Sequence, residues 1–298
     1  MRGGEWHGLS LWRHSRRGTT LNQSPDGKRN TVLITGSSSG IGKETVREFS
    51  RRGWNVAASM RSPGAEKDLR EIEGVVLVRL DVTDRASIEQ AVGEVLSRFG
   101  AIDALVNNAG YALVGPFELT TPEQIERQFA TNVLGLMSVT RSVLPHFRER
   151  QHGTIVNIAS MAGRISFPFF SLYHSTKWAV EGFSESLQHE LRPFNIRVRI
   201  VEPGIIDTDF YGRSADSAVT GPTEAYAGYL MEGPGKIQAT GAHGSKPTKV
   251  AEVVYEAATD DSGRLRYSVG IDAKALLALR RLLPDSVFNN LIRTITNA

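Results

Sequence analysis

A glycine-rich turn between an apolar strand and a helix constrains this chain more than any other stretch. Residues 31–35 form a short apolar run, and residues 40–52 carry a helical pattern. Glycines in the turn remove the Cβ atoms, so a phosphate can approach backbone N–H groups at the positive end of the helix dipole. The flanking strand and helix supply the context that a dinucleotide site requires. The turn therefore predicts a phosphate-binding loop made of Gly36, Ser38, Ser39, Gly40, Ile41 and Gly42.

Strand and helix patterns alternate along most of the chain. Short aliphatic runs predict strands at 31–35, 54–60, 75–80, 102–107, 153–159, 196–202 and about 265–270. Helical patterns lie at 40–52, 64–72, 84–99, 122–150 and 171–192. Asp84 and Thr121-Pro122 are start signals for two of these helices. The alternation predicts an α/β fold, a Rossmann-like doubly wound parallel sheet of about seven strands with helices on both faces.

Glycines and polar or charged residues stand at or directly after the ends of six of these strands. Ligands of open α/β sheets bind outside the carboxyl ends of the strands. We therefore predict one site at that edge of the sheet. Its members by position are Gly36, Arg61, Asp81, Asn107–Gly110, Ser160 and Pro203-Gly204.

Composition argues against several other kinds of site. The 298 residues include no cysteine, which excludes disulfides, cysteine-ligated metals and a thiol nucleophile. The net charge is only +3 without a dense basic stripe, so we expect no nucleic-acid partner. No apolar run is long enough to span a bilayer. We predict no metal site, and expect surface positions for His146, His152, His174 and His189.

The first 30 residues differ from the rest of the chain. Six Arg and Lys residues stand there against two acids, and no apolar h-region is present, so the segment is not a secretory signal. We expect residues 1–30 to be a disordered basic extension; an arginine-rich targeting segment is the alternative. Residues 31–298 show no linker and are predicted to form a single domain, in a cytoplasmic protein.

Tyr173 and Lys177 lie four residues apart in a helical pattern, and Tyr173 comes thirteen residues after Ser160. That spacing places both on one helix face. Lowering a phenol pKa from about 10 to about 7 requires roughly 4 kcal/mol of preference for the phenolate. A lysine ammonium ~4 Å away supplies about that much at an effective dielectric constant of ~20. The pair can therefore give and take a proton near neutral pH.

These stretches together resemble the short-chain dehydrogenase/reductase family, in its compact single-domain branch. The match runs in order and spacing over about residues 30–210, and the Gly-x-x-x-Gly-x-Gly loop is that family's own. The resemblance implies an enzyme that interconverts a ketone or aldehyde and an alcohol with NAD(P). The matching elements are Thr35-Gly-Ser-Ser-Ser-Gly-Ile-Gly42, Asp81, Asn107-Asn-Ala-Gly110, Asn132, Ser160, Tyr173-x-x-x-Lys177 and Pro203-Gly204 with Thr208.

The resemblance also implies roles for single residues. Tyr173 is the general acid in reduction and the base in oxidation, and Ser160 hydrogen-bonds the substrate oxygen. Lys177 lowers the tyrosine pKa and holds the nicotinamide ribose, while Asn132 binds a water that relays protons. The other implied cofactor contacts are Asp81 and Val82 at the adenine, Asn108, Ala109 and Gly110 near the ribose, and Pro203, Gly204, Ile206 and Thr208 towards the nicotinamide. Taken singly, Asp81 equally suits a turn, Asn107 a strand end and Asn132 a helix cap or kink.

The tip of the second strand bears on the choice of cofactor. An NAD-specific site places an acid there, whereas this chain has Met60 followed by Arg61, whose guanidinium suits a 2′-phosphate. Ser38, Ser39 and Ser59 are possible further donors. We predict NADP(H) rather than NAD(H). A solvated Arg61 is the alternative, and Ser39 stands where many NADP-using relatives have a basic residue.

The substrate side is less regular. Residues at about 205–247 form a long loop, and such loops are usually lids or binding segments. Apolar residues near Ser160 and after Gly110 predict a medium-sized apolar or aromatic substrate, with plain packing as the alternative for each. Those near Ser160 are Ile165, Phe167, Phe169 and Phe170, and those after Gly110 are Tyr111, Leu113 and Val114. The basic amphipathic tail 273–283 is expected to cover the sheet edge or contact a subunit rather than a membrane. The resemblance implies a homodimer or homotetramer built on the 122–150 and 171–192 helices.

The leading hypothesis is an NADP(H)-dependent carbonyl reductase or alcohol dehydrogenase. The alternative is a non-catalytic NADP(H)-binding sensor on the same fold, because fold does not fix function. Ser160, Tyr173 and Lys177 argue against the sensor, which needs none of them. A nucleotide-sugar epimerase or dehydratase ranks last, because those relatives usually have another glycine spacing and a longer C-terminal domain.

Overall fold

A computed structural model of the protein describes residues 29–207, 215–217, 224–226 and 244–296. Residues 1–28 of the predicted extension, and Thr208, therefore lie outside the described residues. Within the described ranges, no helix has the length and apolar content needed to cross a membrane.

Seven parallel strands form the central sheet, as the sequence predicted. They stand in the order β3-β2-β1-β4-β6-β7-β9, so strands β2 and β3 are added on one side of β1 and the strands from β4 onward on the other. A second small sheet pairs β5 with β8 in parallel. The strands are β1 Thr31–Ile34, β2 Asn55–Met60, β3 Val75–Arg79, β4 Ala104–Asn107, β5 Ala112–Val114, β6 Gly153–Ile158, β7 Ile196–Pro203, β8 Ala215–Ser217 and β9 Arg266–Val269.

Helices cover both faces of the sheet. They are α1 Gly40–Arg51, α2 Arg85–Phe99, α3 Pro122–Phe129, α4 Leu136–Arg150, α5 Ser171–Leu191, α6 Pro247–Thr259, α7 Ile271–Leu282 and α8 Asp285–Thr296. Both predicted start signals are confirmed. The Asp84 carboxylate accepts hydrogen bonds from the N–H groups of Ala86 and Ser87, and Thr121 forms a reciprocal capping box with Gln124.

The prediction of a helix at 64–72 is wrong. Two short 3₁₀ turns stand there, Pro63–Ala65 and Leu69–Glu71. The Glu66 carboxylate accepts a hydrogen bond from the Leu69 N–H at 3.1 Å and pairs with Lys43. A side chain that bonds to a nearby backbone group competes with helix formation, and this segment is too short to form an independent helix.

Alternating side chains of the strands divide the core into two layers. Val32 and Ile34 pack with α1 and α6, whereas Leu33 packs with α2, α4 and α5. All three side chains are fully buried. This double burial explains why the strands read as continuous apolar runs.

The C-terminal helices α7 and α8 pack on the segment that follows β6. Ala273 and Leu277 of α7 join Met161 and Ile165 in a third buried cluster. The tail therefore covers the residues after Ser160. Its outer side leaves Ile271 89% and Leu282 77% exposed.

Candidate active site

The glycine loop closes directly on the turn that follows β4. Gly36 has a φ of +68°, and a Cβ added to it would lie 2.8 Å from the Ala109 Cα. A Cβ on Gly42 would overlap the Gly36 carbonyl oxygen. Glycine is thus the residue that fits at both positions, the first for its backbone angle and both for space.

Asn108 and Thr35 hold these two turns together. The Asn108 amide donates to the carbonyl oxygens of Thr35 at 2.9 Å and Gly36 at 3.0 Å. The Thr35 hydroxyl oxygen accepts from the N–H groups of Asn108 and Ala109. The side-chain amide of Asn108 therefore stabilises the shape of the glycine loop.

Helix α1 begins inside this loop without a side-chain cap. Ser39 is extended and makes no capping hydrogen bond, and the first turn of α1 contains no acid. Ser38 is exposed, while Gly40 and Ile41 are half-buried. Uncapped N–H groups at a helix start attract an anion, so the loop fits the pyrophosphate of a dinucleotide.

Asp81 and Arg61 meet at the ends of β2 and β3. The Asp81 carboxylate accepts hydrogen bonds from the Thr83 N–H at 3.0 Å and hydroxyl at 2.7 Å. Burial alone would raise the Asp81 pKa, but those bonds and the nearby charges of Arg61 and Arg79 leave the pKa lowered. Arg61 is exposed at this edge.

Two further residues at this end are occupied by packing. Ser59 is fully buried and its hydroxyl donates to the Ile34 carbonyl oxygen, so the expectation that it donates to a cofactor is wrong. Val82 packs against Gly135, where an added Cβ would come within 2.8 Å of its Cγ2.

Ser160 lies at the end of β6, beside the end of β7. It begins the 3₁₀ turn Met161–Gly163, and its Oγ accepts a hydrogen bond from the Ala162 N–H at 3.1 Å. The same hydroxyl donates to the Pro203 carbonyl oxygen at 3.3 Å. Ser160 and Pro203 are thus brought together as predicted from strand order.

Helix α5 presents Tyr173 and Lys177 to the same edge. The Lys177 Nζ lies 5.7 Å from the centroid of the Tyr173 ring and donates to the Ile158 carbonyl oxygen at 2.8 Å. Burial lowers the pKa of Lys177 to about 8, against the opposing influence of Glu181. Lys177 is thereby anchored two residues from Ser160.

Glu181 continues the same helix face one turn further. Burial, followed by the nearby carboxylate of Glu202, raises the Glu181 pKa to about 7. Arg266 pairs with Glu181 at 2.9 Å and partly offsets that rise. A buried ionisable group in line with Tyr173 and Lys177 is a feature that sequence reasoning missed.

Asn132 lies in a π-helical segment, Ala130–Gly135, between α3 and α4. Its Oδ1 accepts from the Tyr111 N–H at 3.0 Å, and its Nδ2 donates to the Tyr111 carbonyl oxygen and the Thr176 hydroxyl. Such single π-turns are frequent at functional sites. Asn132 therefore links the segment after β4 to α5, next to Lys177.

Asp272 is a second residue that sequence reasoning missed. Its carboxylate accepts a hydrogen bond from the Ile205 N–H at 2.7 Å, and it leaves no room for a Cβ on Gly204. Gly204 itself donates to the Val269 carbonyl oxygen, and Ile206 bridges to Ser245. The start of the predicted substrate loop is thus held by α7, which no local motif indicated.

The apolar residues near Ser160 fall into two groups. Ile165 and Leu113 are buried in packing clusters, so the plain packing alternative holds for these two. Phe167 and Phe169 are half-buried, and Phe169 has a φ of +68°. Its carbonyl oxygen accepts from the Gly115 N–H at 2.8 Å, which ties this segment to β5.

The histidines differ from expectation. His174 is buried at 4% exposure, so its predicted surface position is wrong. His146 and His152 are half-buried, and His189 is exposed. Among the described residues, no group of three His, Cys, Asp or Glu side chains could hold a metal ion.

Comparisons with known proteins identify the family that this chain resembles. Residues 30–218 match the family model for short chain dehydrogenases. An uncharacterized oxidoreductase of Schizosaccharomyces pombe is 39% identical over 237 residues, covering 77% of this chain and 96% of the relative. A 3-ketodihydrosphingosine reductase of Bacteroides thetaiotaomicron is 34% identical over 263 residues, covering 88% and 96%.

Solved structures share the fold. A short-chain dehydrogenase from Streptomyces avermitilis superposes with a TM-score of 0.76 at 36% identity, covering 88% of this chain and 94% of that one. ElxO with NADP bound gives 0.68 at 29% identity, covering 80% and 96%. A 3-ketoacyl-(acyl-carrier-protein) reductase from Brucella melitensis, complexed with NADH, gives 0.68 at 28% identity, with the same coverage.

Proposed function

The chain belongs to the short-chain dehydrogenase/reductase family and is an NAD(P)-dependent oxidoreductase, and we propose that it interconverts a ketone or aldehyde and an alcohol with NADP(H). One observation carries the proposal. Ser160, Tyr173 and Lys177 converge at the carboxyl edge of the sheet that also bears the glycine loop. A proton donor, an oxygen-binding hydroxyl and a dinucleotide cradle are what carbonyl reduction requires.

Each group has a defined task in this proposal. In reduction, the Tyr173 hydroxyl gives its proton to the substrate oxygen while the Ser160 hydroxyl donates a hydrogen bond to it. In oxidation, Tyr173 takes the proton back. Lys177 stabilises the phenolate and holds the nicotinamide ribose, and Asn132 supports the proton relay through a bound water. The bound cofactor supplies or accepts the hydride.

The other members of the predicted set would hold the cofactor. Backbone groups of the glycine loop and the start of α1 bind the pyrophosphate. Asn108 acts by shaping that loop, since its amide is bonded to Thr35 and Gly36. The remaining proposed contacts are Asp81 and Val82 at the adenine, Ala109 and Gly110 at the ribose, and Pro203, Gly204, Ile206 and Thr208 at the nicotinamide end.

Arg61 supports the choice of NADP(H). It stands exposed beside Asp81 at the end of β2, where a 2′-phosphate of the adenosine would be reached. A calorimetric titration is expected to give a lower Kd for NADP than for NAD. Equal values would contradict this part of the proposal and leave the reaction class intact.

We extend the proposal to substrate size and assembly. Phe167 and Phe169, half-buried in the segment that follows Ser160 in the chain, support a medium-sized apolar or aromatic substrate, with residues 205–247 as the substrate loop of a single catalytic domain 31–298. Leu134 at 59% and Trp178 at 47% exposure support a homodimer or homotetramer through the π segment and α5. Light scattering on the purified protein would test the oligomer. A cytoplasmic location stays a prediction.

The reaction class is tested by NADPH consumption against a panel of ketones, aldehydes and quinones. We expect turnover with several compounds, falling by about 10²–10⁴-fold in Tyr173→Phe, because that change removes only the proton-transferring hydroxyl. Unchanged Kd for NADPH in the variant is the control. Turnover that survives the substitution would show that Tyr173 is not the acid.

A further inference from the structure

We infer that His174 is a positioning residue that fixes the turn after Ser160 against the helix that carries Tyr173. It thereby sets the relative placement of the two hydroxyls proposed to act on the substrate oxygen. This inference rests on the proposed function. It assigns a task to a buried residue that the reaction itself does not use.

The ring of His174 is bonded at both nitrogens. Nδ1 lies 2.7 Å from the Ala162 carbonyl oxygen, and Nε2 lies 3.0 Å from the Phe167 backbone nitrogen. A carbonyl oxygen only accepts and a backbone N–H only donates, so Nδ1 carries the proton and Nε2 accepts. Both bonds can exist together only on a neutral ring with that tautomer. Burial lowers the His174 pKa, which agrees with a neutral ring.

The first bond reaches Ser160 through a single residue. Ala162 donates its N–H to the Ser160 Oγ at 3.1 Å and accepts from His174 through its carbonyl oxygen. His174 directly follows Tyr173 on α5. A continuous path therefore runs from the Ser160 hydroxyl through Ala162 and His174 to the backbone of Tyr173. A change in the first bond shifts the Ser160 turn relative to α5.

The second bond holds a different part of the same loop. Phe167 N–H is bonded to Nε2, and Phe169, two residues on, has a φ of +68°. A non-glycine residue in that region is strained and persists only where its surroundings enforce it. The hydrogen bond to Phe167 therefore supports the half-buried aromatic segment that is proposed to line the substrate position. The hydrogen bond to Ala162 supports the Ser160 turn.

Three substitutions separate the effects of the two hydrogen bonds that His174 makes, to Ala162 and to Phe167. In His174→Asn, the side-chain amide can keep a donor near the Nδ1 position; in His174→Gln, the side-chain oxygen can keep an acceptor near the Nε2 position. His174→Leu removes both. The matched control is His146→Leu, because the His146 Nε2 also accepts from a backbone N–H, that of Ile102 at 3.1 Å, but on α4 away from the site.

NADPH oxidation with the most active panel ketone would be measured at pH 7 for each variant. We expect kcat to fall by about 10–100-fold in His174→Gln and His174→Leu, but by less than about threefold in His174→Asn, because small misplacements of reacting groups are costly. KM should rise in His174→Asn and His174→Leu and stay near the parent value in His174→Gln. The Kd for NADPH should not change in any of them.

Several outcomes would overturn the inference. Parent values of kcat and KM in all three variants would do so, as would losses of kcat that merely follow Tm and appear equally in His146→Leu. If Tyr173→Phe also keeps full turnover, the assignment of Tyr173 as the acid has failed, and with it the premise of the positioning role. If Tyr173→Phe is inactive while the His174 variants are active, only the positioning role has failed.

A measurement on the unaltered protein covers the case in which the variants do not fold. Nitrogen-15 NMR of histidine-labelled protein at pH 7 should show His174 with its proton on Nδ1. A proton on Nε2, or a charged ring, would contradict the two hydrogen bonds and with them the inference.

Discussion

The two ends of the site are built by different means. At the cofactor end, Gly36 and Gly42 let backbone segments approach to distances that no side chain would permit. At the catalytic end, Ser160, Lys177 and His174 are held by hydrogen bonds to distant backbone groups. The cofactor end depends on the missing Cβ atoms of its glycines, and the catalytic end depends on hydrogen-bond partners for its polar side chains. Substitutions should therefore act through steric overlap at one end and through alignment and protonation at the other.

After Tyr173→Phe, the largest effect at the catalytic end is expected in Ser160→Ala. Loss of a hydroxyl aimed at the developing charge should lower kcat by about 10²–10³-fold. Ser175→Ala on the exposed side of α5 is the control and should leave kcat unchanged, because its hydroxyl bonds only the Ser171 carbonyl oxygen. Steady-state kinetics with NADPH measure both. Equal effects would remove the distinction between the two serines.

The expectation that substitutions at the cofactor end act through steric overlap is tested by Gly42→Ala. The new methyl overlaps the Gly36 carbonyl oxygen, so the loop must open and the affinity for NADPH should fall by at least about tenfold, or ~1.4 kcal/mol. Gly93→Ala on α2 is the control. It has open space around it and should raise the free energy of unfolding by about 0.5–1 kcal/mol. Unchanged NADPH binding in Gly42→Ala would refute the steric account.

The expectation that protonation matters at the catalytic end is tested by the pH dependence of stability that Glu181 contributes. The Glu181 pKa of about 7 lies above the value of 4.5 for an ordinary glutamate, so the folded state binds more protons between those pH values. Stability from this group is fully present below pH about 4.5 and is lost as pH rises through about 7. The groups facing it are Lys177, Glu202, Arg164 and Arg266.

Denaturant unfolding of the parent protein and Glu181→Gln at pH 5 and pH 7.5 would measure this loss. The parent should lose about 2–3 kcal/mol relative to the variant between these two pH values, since each pKa unit corresponds to about 1.36 kcal/mol. A parent that gains stability relative to Glu181→Gln would show that pairing with Arg266 outweighs burial.

The smallest effect is expected for Arg61→Ala. An exposed ion pair contributes about 0.2–1 kcal/mol, and a guanidinium on a phosphate somewhat more, so the NADP affinity should fall by about three- to thirtyfold. The NAD affinity should stay the same. Titration of both cofactors gives the comparison. Equal losses for NADP and NAD would assign Arg61 to the loop and not to the 2′-phosphate.

Local patterns predicted the parts of the fold that have local causes. Strand runs, the Asp84 and Thr121 caps and the glycine loop were all found where the sequence indicated, because apolar runs, cap residues and glycine spacing are patterns of residues close in the chain. The helix at 64–72 was wrong because Glu66 bonds the Leu69 N–H and reaches Lys43, which lies on another element.

Position in the strand order also predicted which residues share an edge. Ser160 lies just after β6 and Pro203 is the last residue of β7, and the two meet in a hydrogen bond. Parallel strands place all their carboxyl ends on one side, so the strand pattern alone predicts the shared edge. The pairing of β6 with β7 is what makes these two residues direct neighbours.

The sequence by itself determined the parallel sheet, the glycine loop and the edge on which Ser160, Tyr173 and Lys177 lie, because these follow from periodicity and from the spacing of residues close in the chain. Only the tertiary structure decided that His174 is buried and bonded to Ala162 and Phe167, and that Glu181 faces Glu202 and Arg266. It also decided that Asp272 holds the Ile205 N–H. Burial and charge at these positions are set by elements distant in the chain, and no local pattern encodes those distances.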